Sequence, residues 1–389
     1  MLLSLTAKKF SSRLKARISV STFFFISGYT FSSWASRIPS MQEQFHLNDA
    51  ELGTVLFIMP MGLIITLPFT GTMLSRISSR YLMLTGALLY AILLPLLPVT
   101  NTVWQLGIIL FVFGSSRNFL NISANAQSIG VQGLYNKFIV ASFHGIWSLA
   151  GFAGAAIGSF MITHNISPFI HFLIIGSTTL LLVILTFGDT IKEDIPSDTK
   201  KSLIVLPDKA LMKLGVVAFC SMSCEGTMYD WSSIYFQKEV HAAPSQVGLG
   251  FVAYMSTMTS ARFVGGWLIK TFGEKKLLQL SGCLIAAGLL TAIVFPNIVT
   301  AIIGFMLAGL GVSCVVPIIF TLAGKNSKLQ PGAAIAAVSI VGYGGFLLGP
   351  PIIGHIAQAF NLRWSFLLIA IMGLMIPLLV TRVRIKESE

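Results

Sequence analysis

The chain has 389 residues, of which 54% are hydrophobic and only 10% are charged, and its mean hydropathy is +0.82. Apolar stretches of about twenty residues, enough to cross a hydrocarbon core, recur from end to end between short polar segments. This pattern excludes a soluble enzyme, with or without a single membrane anchor. The net charge of +12 is confined to alternate polar segments rather than gathered on one surface, which argues against nucleic acid as a partner.

In chain order, the apolar stretches predict an all-α polytopic membrane protein with twelve transmembrane helices. The predicted spans of the first half are 13–36, 50–74, 81–98, 103–127, 138–163 and 168–188. Those of the second half are 210–236, 244–270, 276–294, 297–323, 331–359 and 363–381.

The most polar segment, Gly188 to Lys213, predicts a solvated linker that divides the chain nearly in half. The predicted domains are an N-terminal six-helix half over 1–188, a cytoplasmic linker over 189–209, and a C-terminal six-helix half over 210–389. The four cysteines all lie within apolar segments. Packing is therefore the expected role of these thiols, and neither a metal nor a cofactor is predicted.

Basic residues predict the orientation in a bacterial inner membrane. If the N-terminus is cytoplasmic, the outer segments contain only three basic residues, Arg37, Lys238 and Arg363. This asymmetry places both termini in the cytoplasm and requires an even number of crossings. The basic segment Met1 to Arg17 leads into an apolar stretch without a small-residue cleavage site, so no removable signal peptide is expected.

An internal repeat supports two similar halves. Gly71–Arg80 aligns with Gly266–Lys275 at an offset of 195 residues, and Ser33–Ser36 aligns with Asp230–Ser233 at an offset of 197. Two pairs of segments thus repeat at nearly the same spacing. This predicts parallel repeats that are pseudo-symmetric about an axis along the membrane normal, with a site between them at mid-membrane.

These segments resemble the major facilitator superfamily over almost the whole chain. The family's loop after the second helix reads roughly Gly-x-Leu-x-Asp-Arg-x-Gly-Arg-Lys. Gly71, Arg76 and Arg80 match it in the first half, where Ser75 and Ser78 replace the acid and the glycine. The second-half matches are Gly266, Leu268, Gly273 and Lys275.

More specific motifs are Trp34–Pro39, Ser142–Ser148, Glu225–Ser232 and Gly342–Pro351, which are similar to a bacterial branch loosely allied to sugar/proton symporters. The substrates of that branch are mostly unassigned. The resemblance implies a monomeric transporter that works by alternating access, with Arg76 and Arg80 bracing a cytoplasmic gate. The alternative for these two arginines is that they only orient the chain during insertion.

The fourth span carries the first candidate site. Arg117, Asn121 and Asn125 recur every four residues and therefore share one helix face, on which Arg117 offers donors to a carboxylate or phosphate. The alternative is a structural bridge to another helix. Asn118 points about 100° away from this face and is not expected to take part. Related symporters carry an acid at the position of Asn121, and its absence here favours an anionic solute.

The seventh span carries the second candidate site. Glu225 and Tyr229 share a face, on which Tyr229 is a candidate solute ligand. Glu225 is the best candidate for a proton carrier because an ionisable group inside a bilayer is costly unless it is functional. The alternative is a permanent salt bridge, for example to Arg117. Asp230 is a second acid for proton coupling, although a contact at the outer end of the helix fits its position better. We expect Arg117 and Glu225 to face one cavity, with solute binding at one linked to protonation at the other.

Three further side chains are candidate solute ligands. His144 could relay a proton, bind solute or pack near the cytoplasmic end of the fifth span. Trp147 and Tyr343 could stack on a ring-bearing solute such as a sugar or nucleobase, or simply pack.

The predicted function is secondary active transport of a sugar, a nucleoside or a small anionic metabolite, coupled to protons. Three alternatives remain: a receptor or scaffold that kept the transporter fold without transport, an exporter that works by proton antiport, and a membrane-embedded enzyme. The sequence has no Walker motif and none of the common catalytic motifs, so neither an ATP-driven pump nor an enzyme is expected.

Overall fold

The computed structural model describes residues 2–136, 139–192, 208–326, 329 and 331–381. Its helices in the first half of the chain are α1 (Leu2–Ser36), α2 (Ile38–Gln44), α3 (Asp49–Leu74), α4 (Ser79–Leu93), α5 (Val103–Gln132), α6 (Val140–Thr163) and α7 (Pro168–Thr186). Those in the second half are α8 (Lys209–Lys238), α9 (Leu249–Phe272), α10 (Glu274–Val294), α11 (Ile298–Val312), α12 (Val315–Asn326), α13 (Pro331–Ala359) and α14 (Leu362–Thr381).

A helix occupies each of the twelve predicted spans within the described ranges, which confirms the all-α polytopic fold class. Nine helical segments of those ranges are long and apolar enough to cross a membrane by length and composition alone. The helices α1, α8 and α9, in which polar side chains are more frequent, are not among the nine. Most of the predicted linker, residues 193–207, lies outside the described residues.

Two predicted spans are interrupted, each for a local reason. In the third span, Leu94–Val99 forms a 3-10 turn after α4, where Pro95 and Pro98 lack the N–H that an α-helix needs. The tenth span divides into α11 and α12 at Ser313 and Cys314. There the Ser313 hydroxyl donates to the Leu310 carbonyl at 2.7 Å, and the Ser313 carbonyl accepts from Arg262 Nε at 3.4 Å.

The chain divides into two compact units. The first contains residues 1–37, 58–161 and 165–200, and the second contains 38–57, 162–164 and 201–389. The second unit thus includes two short segments that precede the predicted linker. Each unit is described separately below.

In the first unit, α1 packs on α5 and α7 and crosses α6 closely. A Cβ on Gly154 of α6 would lie 2.5 Å from the Tyr29 carbonyl oxygen of α1, so only glycine permits this approach. The α3 and α5 helices cross similarly at Gly114, where a Cβ would meet the backbone of Met59. These crossings bring α1, α5 and α6 together around the predicted polar face of α5.

In the second unit, α8 packs on α9, α11, α12, α13 and α14. Its contact with α13 is close at Gly345, where a Cβ would lie 2.6 Å from the Phe219 carbonyl oxygen. From residue 220 to residue 229 every residue of α8 is buried. Glu225 therefore lies inside a packed helix rather than on a lipid-exposed face.

The three basic residues that the sequence predicts outside all have partners. Arg37 is buried, and it donates to His171 Nδ1 at 3.1 Å and to the Ile166 carbonyl at 2.6 Å. Burial lowers the pKa of Arg37 to about 10, so it remains charged at neutral pH. In the second unit, Lys238 pairs with Asp49 at 2.6 Å, and Arg363 pairs with Glu239 at 2.8 Å.

Candidate functional site

A polar wall in the first unit joins α1, α5 and α6 through Ser27. The Ser27 hydroxyl donates to Asn121 Oδ1 at 2.6 Å and accepts from Trp147 Nε1 at 3.2 Å. Two of the predicted solute ligands are thus connected through one serine. Because hydroxyl and amide groups on membrane helices are costly without partners, this chain of hydrogen bonds holds the wall in one arrangement.

Arg117 lies on the same face of α5, four residues before Asn121. It is half-buried, and its guanidinium carbon stacks 3.8 Å from the centroid of the Phe31 ring on α1. Its buried Nε has no hydrogen-bond partner within the described ranges. Among the residues that the structure describes, no carboxylate lies within ion-pair distance of Arg117. A cation held on an aromatic ring without a protein counter-ion is suited to bind an anion.

The other amides of α5 have different roles. Asn125 donates from Nδ2 to the Asn121 carbonyl at 2.8 Å, a bond within the helix that continues the polar stripe. Asn118 is buried and donates to Thr70 Oγ1 at 2.8 Å and Thr66 Oγ1 at 3.1 Å, both on α3. Asn118 therefore bridges α5 and α3.

His144 lies on α6 one turn before Trp147. Its side chain is exposed, and its ring packs edge-on against Phe24 of α1 at a centroid distance of 5.3 Å. Together with Phe31, Phe24 gives α1 an aromatic surface on either side of Ser27. The first unit thus brings together five of the predicted solute ligands, Arg117, Asn121, Asn125, His144 and Trp147.

In the second unit, Glu225 lies in a cluster that we define by Glu225 and Tyr229 of α8 and Tyr254 and Arg262 of α9. Glu225 Oε1 accepts from the Tyr229 hydroxyl at 2.6 Å and from Arg262 Nη2 at 3.1 Å. The Tyr254 hydroxyl is fully buried and has no hydrogen-bond partner in the part of the chain that the structure describes. Its ring stands edge-on to the Tyr229 ring, at a centroid distance of 6.0 Å.

The structure therefore gives Glu225 an ion-pair partner in its own unit, which sequence reasoning missed. Tyr229, predicted as a solute ligand, uses its hydroxyl on Glu225. Arg262 had the same signal as Arg117, because it is an arginine inside a predicted span. It also lies at a four-residue spacing from Met258 and Tyr254. Ser27 gave no such signal, because serines are frequent on membrane helices.

The remaining predicted side chains lie elsewhere in the two units. Asp230 is half-buried, next to the fully buried Trp231. Tyr343 lies on α13 with 42% of its side chain exposed. Of the predicted gate residues, Arg76 is exposed in the turn before α4. Arg80 is buried, with its guanidinium 4.6 Å from the Phe187 ring centroid.

Within the described ranges, no group of three His, Cys, Asp or Glu residues is placed to hold a metal ion. The chemistry that these two clusters offer is hydrogen bonding, ion pairing and proton exchange.

Comparison with known proteins agrees with this architecture. The family model described as Major Facilitator Superfamily matches residues 19–239 and 214–389. An uncharacterized MFS-type transporter of Yersinia pestis is 31% identical over 361 residues, which cover 92% of this chain and 93% of the relative.

Two solved structures share the fold at low identity. The nucleoside transporter NupG, solved as a point mutant, superimposes with a TM-score of 0.72 at 12% identity, covering 96% of this chain and 99% of that one. The E. coli fucose:proton symporter FucP, also solved as a point mutant, has a TM-score of 0.63 at 18% identity, covering 95% of this chain and 98% of that one.

Proposed function

This chain belongs to the major facilitator superfamily, and we propose that it is a secondary active transporter driven by the proton gradient. The proposed solute is a small polar organic molecule, a sugar, a nucleoside or a small anionic metabolite. The protein moves it across the bacterial inner membrane by alternating access.

The observation that carries this proposal is Arg117. A cation that is half-buried in an apolar helix, stacked on Phe31 and without a carboxylate partner within the described ranges, is expensive unless a ligand compensates its charge. The hydrogen-bonded wall of Ser27, Asn121 and Trp147 beside it supplies donors and acceptors for a polar solute. Two neighbours in fold, a nucleoside transporter and a fucose:proton symporter, are consistent with a polar solute.

The proton carrier in this proposal is Glu225. It is the buried acid of α8, and its protonation would weaken the hydrogen bonds that Tyr229 and Arg262 now donate to it. Solute binding at Arg117 and proton binding at Glu225 are then linked during the transport cycle. That these two side chains face one cavity remains a prediction.

The test begins with the solute. A thermal-shift screen of the purified protein against sugars, nucleosides, amino acids and carboxylates should reveal it, because a ligand that binds the folded state raises its stability. Uptake of that solute into proteoliposomes with an imposed pH gradient then tests transport. A solute that binds without either uptake or exchange would instead favour a receptor or scaffold, and uptake against the proton flow would favour an antiporter.

The binding assignment is tested by Arg117→Gln, which removes the charge and keeps a polar side chain. We expect its affinity for the solute to fall at least about tenfold, the equivalent of one charge-assisted hydrogen bond. Arg37→Gln is the matched control, because it removes another buried arginine of the same unit that has its own protein partners. Unchanged affinity in Arg117→Gln would return Arg117 to a structural role.

The proposed orientation is tested by labelling single cysteines in a background with Cys283→Ser. Asn101→Cys, in the exposed turn before α5, should react with an impermeant reagent from outside the cell. Ser75→Cys, in the exposed turn after α3, should react only after the cells are opened. A reporter inserted between Asp194 and Lys200, or fused after Glu389, should be cytoplasmic. The reverse pattern would contradict the proposed topology.

A further inference from the structure

The Glu225 cluster contains three groups that can donate hydrogen bonds. After Glu225 is protonated, its neutral carboxyl group cannot satisfy all of them. The hydroxyl of Tyr229 and the guanidinium of Arg262 both donate to Glu225 Oε1. The Tyr254 hydroxyl beside them is buried, and it has no partner among the described side chains. When Glu225 takes a proton, its oxygens become weaker acceptors, and the three donor groups have lost their anion.

Arg262 would remain in place after that change. Its Nε donates to the Ser313 carbonyl at the break between α11 and α12, at 3.4 Å, independently of Glu225. With 19% of its side chain exposed, compared with 7% for Glu225, Arg262 is the more exposed member of the pair. The guanidinium is therefore anchored by a bond that does not involve Glu225.

Charge decides what such a ligand must be. The pair of ionised Glu225 and Arg262 is neutral, but protonation of Glu225 leaves one positive charge in a low-dielectric interior. A bound monoanion restores neutrality, so a proton and a monoanion can enter the cluster together at no net charge. A carboxylate fits best, because it replaces the Glu225 carboxylate on the same donors.

We propose that Arg262, with the hydroxyls of Tyr229 and Tyr254, forms a latent binding site for a small monocarboxylate, which opens when Glu225 is protonated. This inference deepens the proposed function and rests on it, because it identifies what binds together with the proton at Glu225. It adds an anion site in the second unit to the one proposed at Arg117.

Other titratable and charged groups lie on α8 and on the helices packed against it. They are Lys209, Lys213, Cys220, Cys224, Tyr229, Asp230, Tyr235 and Lys238 on α8, Tyr254, Arg262 and Lys270 on α9, Cys314 between α11 and α12, Lys325 on α12, Tyr343 and His355 on α13, and Arg363 on α14. Within the described residues, Arg262 is the one cation within ion-pair distance of Glu225. Glu225 is thus the acid whose protonation removes the negative charge paired with Arg262.

The test uses acetate as the probe and measures how it shifts thermal unfolding of the purified full-length protein. Glu225→Gln keeps the size of the side chain but removes its charge. At about pH 8 this variant should bind acetate at least about tenfold more tightly than the unsubstituted protein, the equivalent of one charge-assisted hydrogen bond. The same affinity in both proteins would overturn the proposal. In the unsubstituted protein, acetate should bind more tightly as the pH is lowered, because the proposed site opens only when Glu225 is protonated. This second measurement needs no variant, and a pH-independent affinity would also overturn the proposal.

A second substitution, added to Glu225→Gln, identifies which arginine binds the acetate. Glu225→Gln with Arg262→Gln should lose the acetate response, and its persistence would overturn the assignment to Arg262. Glu225→Gln with Arg117→Gln should keep the response. If this second double variant lost the acetate response, the acetate site would have to be assigned to Arg117. That result would overturn this inference and leave the proposed function intact. Glu274→Gln, which breaks the more exposed Lys325–Glu274 pair, should respond as the unsubstituted protein does. A chloride response as strong as the acetate response would contradict the carboxylate assignment.

Discussion

Replacing Glu225 with Gln is expected to abolish proton-driven accumulation of the solute while solute exchange across the membrane continues. Gln can still accept the hydrogen bond that Tyr229 donates, but it cannot carry a proton. A pH difference of about one unit can drive about tenfold accumulation when one proton moves with each solute, because it is worth about 1.4 kcal/mol. In proteoliposomes, the ratio of internal to external solute should fall to about one in the variant. Exchange of labelled for unlabelled solute across the membrane should continue.

Asp230→Asn is the matched control for this experiment. Asp230 is the other acid of α8 in the same motif, and it is half-buried five residues nearer the C-terminal end of the helix. If it only makes a contact there, the Asn variant should accumulate solute normally. Full accumulation by Glu225→Gln together with its loss in Asp230→Asn would transfer the proton-carrier role to Asp230. Full accumulation in both variants would contradict proton coupling through α8.

Replacing Gly354 with Ala is expected to destabilise the protein by about 1–3 kcal/mol, the usual effect of forcing a methyl group into a packed contact. A Cβ at Gly354 of α13 would lie 2.4 Å from the Asp49 carbonyl oxygen, and one at Gly53 of α3 would lie 2.5 Å from the Pro350 carbonyl oxygen. Both obstacles are backbone atoms, which cannot move aside unless the two helices separate.

The same contact explains why transport should also change. Asp49 accepts from Lys238 at 2.6 Å and from Gln42 at 2.9 Å, and its N–H donates to Gln358 of α13 at 3.1 Å. These bonds join the N-terminal end of α3 to α8 and α13 within the second unit. If alternating access requires this contact to close and open, Gly354→Ala should lower the transport rate as well as the unfolding temperature.

Gly349→Ala is the control on the same helix. A Cβ at Gly349 would meet no atom within 4 Å, so this variant should be neutral or slightly more stable than the original protein. Thermal unfolding of the two purified variants, together with transport in proteoliposomes, makes the comparison. Equal unfolding temperatures would show that α3 and α13 do not approach each other as closely as described here.

The sequence by itself determined the properties that depend on local spacing. Apolar length predicted where each membrane helix lies, because the hydrocarbon core sets a minimum length for a span. The four-residue recurrence of Arg117, Asn121 and Asn125 predicted one polar face, because helix geometry places such residues together. It also predicted that Asn118 lies apart from that face, and the structure shows it bonded to Thr66 and Thr70 instead.

Only the tertiary structure decided which faces meet. Ser27 joins Asn121 to Trp147 because α1 passes between α5 and α6, a pairing of helices that no spacing within one segment encodes. Glu225 pairs with Arg262, 37 residues later, because α9 turns its charged face toward α8. The close approach at Gly53 and Gly354 likewise depends on two backbones about three hundred residues apart. Local sequence fixes what a helix can present, but the packing of helices against one another fixes the partner of each polar group.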